Sequence, residues 1–257
     1  MTSRIRYRSA GGAAYLTLAC PDRRNALDLA TLESLGRSLR RARTDDARVV
    51  VLDAEGDAFS VGGDLVAISA ADDREQYVED LAEALHRAIC DMHDLNAIVV
   101  SVVTGVAAGA GVALAAAADV VLAADSARFS IAYTKVGLSP DGGTSLFTAS
   151  LGLHRALYLT LLNPLLTAEE AQAAGLVAEV HPDDELAAAA DRVIDTLLSG
   201  SRNAQVVAKR LLRATIAPAP ALVMRREALT IRAAVGTPDA KEGIEAFVTK
   251  RRPTFQS

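Results

Sequence analysis

The 257-residue sequence has no tryptophan, and its five tyrosines and five phenylalanines make up only 4% of the chain. A stacking platform for single-stranded nucleic acid needs more rings than that. Positive charge is also in deficit. The chain has 27 Lys and Arg against 32 Asp and Glu, a formal net charge of −5, which is the wrong sign for a general nucleic-acid binder. Cysteine is scarce: Cys20 and Cys90 are the only two and lack metal-ligand spacing, so a reducing, cytoplasmic setting and no metal are expected. The opening MTSRIRYRSAGGAAY carries charge but no apolar run, so no signal peptide is expected. One long charge-free run does occur, from Leu95 to Ala118, with Gly105 and Gly109 as a GxxxG pair. Its composition argues against a membrane span. The β-branched residues crowd its first half, Ala and Gly fill the second, and no cluster of positive charge flanks it.

With 51% hydrophobic residues, the chain can bury a large core. The stretch Val99–Asp119, VVSVVTGVAAGAGVALAAAAD, reads as a strand to Thr104, glycine bends at Gly105, Gly109 and Gly111, and an Ala-rich helix. The unpaired N–H groups at such a helix start, with the positive end of its dipole, suit a developing negative charge. A second glycine turn, FSVGGDL at 59–65, also follows a buried strand and precedes a helix, with Asp64 near its cap. Either loop alone is ordinary. Together they allow one N–H from each to meet at a single carbonyl oxygen, the arrangement that stabilises an oxyanion or enolate.

The remaining elements follow from periodicity and caps. Ala14–Ala19, Val49–Leu52, Val120–Ala123, Arg128–Ser130 and Leu176–Val180 read as strands. Asp28 caps a helix to about Arg43, and Asp72–Leu95 is a charged amphipathic helix. Tyr133–Gly143 reads as a polar loop, with helices from about Thr144 and from His154. Thr167 and Glu170 form a capping box, with Gly175 at the other end of that helix. Beyond Asp183 the chain reads as helical, with breaks near Ser199–Gly200, Ala217–Pro220 and Gly236–Pro238. No low-complexity linker is present. Strand–helix alternation to about residue 180 and an all-helical tail indicate an α/β fold.

The residues RRNALD (23–28), VVVLDAEGDAFSVGGDL (49–65), TGVAAGAGVALAAAAD (104–119), GLSPDGG (137–143), AEEAQAAGLVAEV (168–180) and EGIEAFVTKRRPTF (242–255) are collinear and span nearly the whole chain. In them the sequence resembles the enoyl-CoA hydratase/isomerase, or crotonase, family. The resemblance implies a crotonase-like spiral of ββα units over residues 1–199 and a C-terminal helical segment over 200–257 that builds homotrimers or pairs of trimers. It implies an acyl-CoA substrate and no separate cofactor, coenzyme A being part of the substrate. It assigns the oxyanion donors to the N–H groups of Gly63 and Ala110, with Gly62, Asp64 and Leu65 beside the substrate. Arg24 and Ala26 would line the coenzyme A entrance. Phe247 and Lys250 match positions that reach the nucleotide, often from a neighbouring subunit. On residue chemistry alone the basic residues among these read as a solvated surface.

The resemblance departs from the hydratase pattern at its two glutamates, whose positions fall at Ala113 and Tyr133. One carboxylate does fall in the right region, Asp141. It resembles the acid/base aspartate of the family's enoyl-CoA isomerases, and a dehalogenase branch has its nucleophilic aspartate there. As residues, P-D-G is simply a turn-forming triplet. Tyr133 is a further candidate, through its ring or its hydroxyl. Cys90 lies near the histidine of the dehalogenase branch; His86 and His93 flank it and read as packed or exposed histidines. Asp64 and Asp119 read as cap or turn carboxylates, and Ala67, Ile68, the 72–95 helix and the Tyr133 loop as the acyl wall. The leading expectation is an enoyl-CoA isomerase. The alternatives are an acyl-CoA hydrolase or dehalogenase with Asp141 as nucleophile, an enoyl-CoA hydratase, and a catalytically weak acyl-CoA-binding protein.

Overall fold

The computed structural model describes residues 4–217 and 219–255; Pro218, inside the break expected at Ala217–Pro220, lies outside them. Strand β1 (Ile5–Ala10) pairs antiparallel with β2 (Ala13–Leu18). The first of these is not apparent in the sequence, because Arg6 and Arg8 interrupt its apolar residues. Arg8 nevertheless finds an aromatic partner, lying 3.7 Å from the Tyr15 ring centroid. Helix α1 (Leu29–Thr44) starts where Asp28 accepts from Thr31 N at 2.9 Å, and it buries Leu32, Leu35 and Leu39.

The chain then repeats one move. Strand β3 (Val49–Ala54) is followed by the short β4 (Ala58–Ser60), which lies inside the segment read as loop. Helices α2 (Leu65–Ala70) and α3 (Arg74–Asp94) lead to β5 (Ile98–Val103), β6 (Val106–Ala108) and α4 (Ala110–Ala116). Strands β7 (Val120–Ala124) and β8 (Arg128–Ser130) follow. After α5 (Thr148–Leu151) and α6 (Leu153–Leu162) come β9 (Leu166–Thr167), α7 (Ala168–Ala173) and β10 (Glu179–His181). In the pairs β3/β4, β5/β6 and β7/β8 the first strand joins a six-stranded sheet ordered β1-β2-β3-β5-β7-β10 and the second a four-stranded sheet ordered β4-β6-β8-β9; in β9/β10 that order is reversed. Strands β3, β5 and β7 pair in parallel, and their valine runs are almost wholly buried, as parallel strands covered on both faces require. The run Leu95–Ala118 is thus two strands and a short helix, and no helix among the described residues is long and apolar enough to cross a membrane.

Two expected boundaries move. The helix expected from Thr144 is a 3₁₀ turn, Thr144–Phe147, continued by the one-turn α5. The strand expected at Leu176 starts at Glu179, because Leu176 N bonds Ala171 O and Gly175 N bonds Gln172 O, a Schellman closure of α7 that uses Leu176.

Helices α8 (Leu186–Ser199), α9 (Arg202–Ile216), α10 (Pro220–Val235) and α11 (Pro238–Val248) complete the chain. Helix α9 is pinned by buried charge. Lys209 Nζ donates to Met92 O, Ala97 O and Asp119 Oδ2, and Arg213 binds Asp119 Oδ1 at 2.7 Å and lies 2.9 Å from His93 Nε2. Asp119 is therefore more than a turn carboxylate. Helix α10 lies along α3, where Arg225 and Arg232 pair with Glu79. Helix α11 packs on α2 and on the 3₁₀ turn Tyr133–Val136.

Candidate active site

Two glycine turns touch because neither carries a side chain at the contact. After β4 the chain bends through Gly62, whose φ is +89°; after β6 it bends through Gly109, at +52°, into α4. A Cβ on Gly62 would sit 2.6 Å from Ala108 O and 3.1 Å from Ala110 N, so only glycine lets the turns meet. The first turn is also tied to the RRNALD segment. Leu27 N bonds Gly62 O at 2.8 Å, and Ser60 Oγ donates to Asn25 O at 2.8 Å. Asn25, buried and left-handed, donates to Glu55 O and Ala58 O and accepts from Cys20 N. Gly63 and Ala110 both line a cavity of about 800 Å³. Their amide N–H groups have no hydrogen-bond partner among the described residues.

Asp141 stands in the same cavity wall, 4% exposed. Its Oδ1 lies 2.7 Å from His86 Nε2, while Oδ2 has no hydrogen-bond partner among the described residues. The Asp141 carbonyl accepts from the Tyr133 hydroxyl at 3.0 Å and from Thr144 Oγ1 at 2.6 Å. Burial, with the charges of Asp141 and Glu227 nearby, pushes the Tyr133 phenol far up, so it stays a neutral donor. Behind the turn, Glu227 of α10 accepts from Gly143 N at 2.6 Å, from Ser145 N at 2.8 Å and from the Ser145 hydroxyl, and its Oε2 is 3.9 Å from His86 Nε2. Burial raises the Glu227 carboxyl against the pull of these donors.

The imidazole serves Asp141 in either protonation state. An Nε2–H donates to the carboxylate; an Nε2 lone pair accepts from the carboxylic acid, with Gly142 N 3.3 Å away on the same nitrogen. His86, Asp141 and Glu227 offer ligand atoms within 4.8 Å of one another. Both Glu227 oxygens, however, face N–H and O–H donors, which is a setting for an anion and not for a metal ligand. At the position of the first hydratase glutamate, Ala113 is buried against the turn: a Cβ on Gly142 would lie 2.8 Å from its methyl.

Of the residues expected from the sequence, Gly63, Ala110, Tyr133, Asp141, Arg24, Ala26, Asp64, Leu65, Phe247 and Lys250 all line this cavity. Gly62 stands one layer behind it. Asp64 caps α2, accepting from Val66 N and Ala67 N at 3.1 Å and pairing with Arg23. Phe247 and Lys250 reach the cavity from the chain's own α11 and the residue pair beyond it. The apolar wall of the cavity includes Ile68, Val78, Leu81, Ala82 and Leu85, as well as Ile231 of α10; Ala67, expected in the acyl wall, does not line the cavity. Cys90 is half-buried with its thiol raised by burial, and it lies outside the lining.

Sequence reasoning passed over Glu227 and Lys135, and it read His86 as a packed or exposed histidine without joining it to Asp141. His86 lies four residues after Ala82 on the buried face of α3, where a histidine passes for packing. The signal for Glu227 is sharper. It interrupts the buried stripe Met224, Ala228, Ile231, Val235 of α10, and a carboxylate in an apolar stripe needs a partner. Lys135 joins Arg24 and Lys250 at the cavity mouth. Neither lysine has a carboxylate partner among the described residues, whereas Arg24 is 3.5 Å from Asp57.

Comparison with known proteins extends over the whole fold. The family described as enoyl-CoA hydratase/isomerase matches residues 8–257. A trans-2-decenoyl-[acyl-carrier-protein] isomerase of Streptococcus mutans is 34% identical, with 98% of this chain and 97% of the relative covered. A probable enoyl-CoA hydratase of Rhodobacter capsulatus is 37% identical, again with 98% and 97% covered. A crystal structure of an enoyl-CoA hydratase from Mycobacterium avium subsp. paratuberculosis K-10 superposes with a TM-score of 0.90 at 34% identity, covering 99% of each chain.

Proposed function

The chain belongs to the enoyl-CoA hydratase/isomerase family, and within it we propose an enoyl-CoA isomerase with a two-amide oxyanion hole and Asp141 as its single acid/base. The acyl-CoA phosphates and nucleotide rest against Arg24, Lys135, Lys250 and Phe247, and the acyl group enters the apolar wall formed by α3 and Ile231. The thioester oxygen receives hydrogen bonds from Gly63 N–H and Ala110 N–H. The Asp141 carboxylate removes a proton beside the conjugated system, giving an enolate whose charge the two amides hold. The carboxylic acid then returns the proton at the other end of the three-carbon unit, moving the double bond. Coenzyme A enters as part of the substrate.

One observation carries this reading. A buried carboxylate and two unpartnered amides line one cavity, while Ala113 stands where a paired-carboxylate mechanism needs its first glutamate. The test is conversion of 3-enoyl-CoA to 2-enoyl-CoA by the wild type and by Asp141→Asn. A loss of about 10³-fold in kcat is expected, and equal rates would remove Asp141 from the chemistry. Tight acyl-CoA binding with no turnover of any thioester would instead identify a binding protein.

The short His86–Asp141 contact favours a second reading, an acyl-CoA hydrolase or dehalogenase. There the Asp141 carboxylate would attack a halogen-bearing carbon and expel halide as an ester forms, or attack the thioester carbonyl and expel the coenzyme A thiolate as a mixed anhydride forms. Water deprotonated by His86 would then cleave that linkage at the Asp141 carbonyl carbon. Single turnover in ¹⁸O water separates the two, since only the second leaves label in the Asp141 side chain.

Assembly into homotrimers or pairs of trimers is supported by the leucines that α6 and α9 leave exposed, among them Leu161, Leu162, Leu211 and Leu212. Light scattering would report the mass directly.

A further inference from the structure

We propose that Glu227 is a positioning residue for Asp141, so that the C-terminal helix α10 completes the site from behind. This rests on the assignment of Asp141 as the acid/base. The turn after Asp141 runs through Gly142 and Gly143, both left-handed at φ +69° and +80°, and then enters the short 3₁₀ turn Thr144–Phe147. Such a turn opens with unpaired N–H groups and has no capping side chain of its own, Gly143 being the residue that precedes it. Glu227 supplies the cap from 84 residues away. Oε2 takes Gly143 N, and Oε1 takes Ser145 N together with the Ser145 hydroxyl.

Three further bonds act on Asp141 itself: His86 holds its carboxylate, while Tyr133 and Thr144 hold its carbonyl. Removing Glu227 would leave these three in place and free only the floor beneath them. A buried carboxylate is a poor choice for stability alone, because an apolar side chain of that size would avoid its desolvation. Its placement beside His86, one turn from the cavity residue Ile231, fits a role in geometry. The helix that delivers it is itself seated by ion pairs with α3. Arg225 bonds Glu79 at 2.8 Å and also reaches Glu83, and Arg232 bonds the other Glu79 oxygen.

The test uses the full chain with 3-enoyl-CoA turnover, thermal unfolding and amide hydrogen exchange. Glu227→Ala is expected to raise exchange at the Gly143 and Ser145 amides. It should also lower kcat by about 100-fold, the cost of a small misplacement at the reacting group, while KM stays within about threefold of wild type. Glu227→Gln, which keeps the length and one acceptor, should recover part of that loss. If Glu227→Ala does not fold, Ser145→Ala removes one donor of the same cap and should lower kcat by about threefold. Wild-type kcat in the variant that folds, alongside an inactive Asp141→Asn, overturns the proposal. So does a rise in KM that matches the fall in kcat. An Asp141→Asn variant as active as wild type would instead sink the acid/base assignment; the exchange signature of the cap needs no turnover and is read separately.

Discussion

Helix α3 carries two inward-facing histidines, the buried His86 and the half-buried His93, and each stands in a cluster of charges built on different terms. Around His93 one carboxylate is shared by two cations. Asp119 meets both Lys209 and Arg213, the lysine also donates to two carbonyls, and Asp119 Oδ2 accepts from Val99 N as well. Around His86 two carboxylates converge on one imidazole with no permanent cation paired to either among the described residues, and the Asp141 corner opens into the cavity. The first arrangement is closed and saturated, which holds α9 against the spiral. The second leaves one Asp141 oxygen without a hydrogen-bond partner among the described residues, which suits the proton transfer proposed for it. The sign of the surrounding charge and access to the cavity distinguish the two.

The comparison is broken most forcefully by swapping the insults. Asp119→Ala strands Lys209 and Arg213 without their partner and should destabilise the fold by about 3–5 kcal/mol in chemical denaturation, with kcat per folded molecule unchanged. Asp141→Asn should do the reverse, abolishing turnover while leaving the denaturation midpoint nearly in place.

Acid sharpens the contrast. Burial, helped by the Arg213 charge, depresses the His93 imidazole from 6.5 to about 4. The unfolded chain therefore binds the proton first, so this contribution to stability is whole above pH 6.5 and drains away as pH falls towards 4. The total is roughly 3 kcal/mol at most, and His93→Gln should flatten that part of the stability–pH curve.

Smaller effects belong to the cavity's two ends. An acyl chain ending in a carboxylate should lose about tenfold in kcat/KM against an uncharged chain of equal length, since the inner wall is apolar and Asp141 is already there. Lys250→Ala should raise KM by about threefold at low salt, and less at high salt, with kcat unmoved.

What could be read from the sequence was what neighbours in the chain decide. Asp28 three residues before Thr31, the Thr167–Glu170 box and Gly175 each announce themselves within one turn of helix, and all three cap or close as expected. The glycine turns were legible for the same reason, and the family pattern then joined them. The short strands β4 and β9 carry too few residues to show a period, and β1 hides its pairing face behind arginines. His86 and Asp141 are 55 residues apart and Glu227 is another 86 further on, so no local pattern joins them. The tail, expected to build oligomers and to bring Phe247 and Lys250 to the nucleotide, also places Glu227 behind the Asp141 turn, and Phe247 and Lys250 line the cavity.

The donors that face the cavity at Gly63 and Ala110 are main-chain atoms. Apart from proline, which has no N–H to give, a substitution at or around Gly63 and Ala110 deletes neither donor unless the backbone itself shifts. In the mechanism proposed above, the wall and the acid/base could therefore change while the polarising pair stays in place.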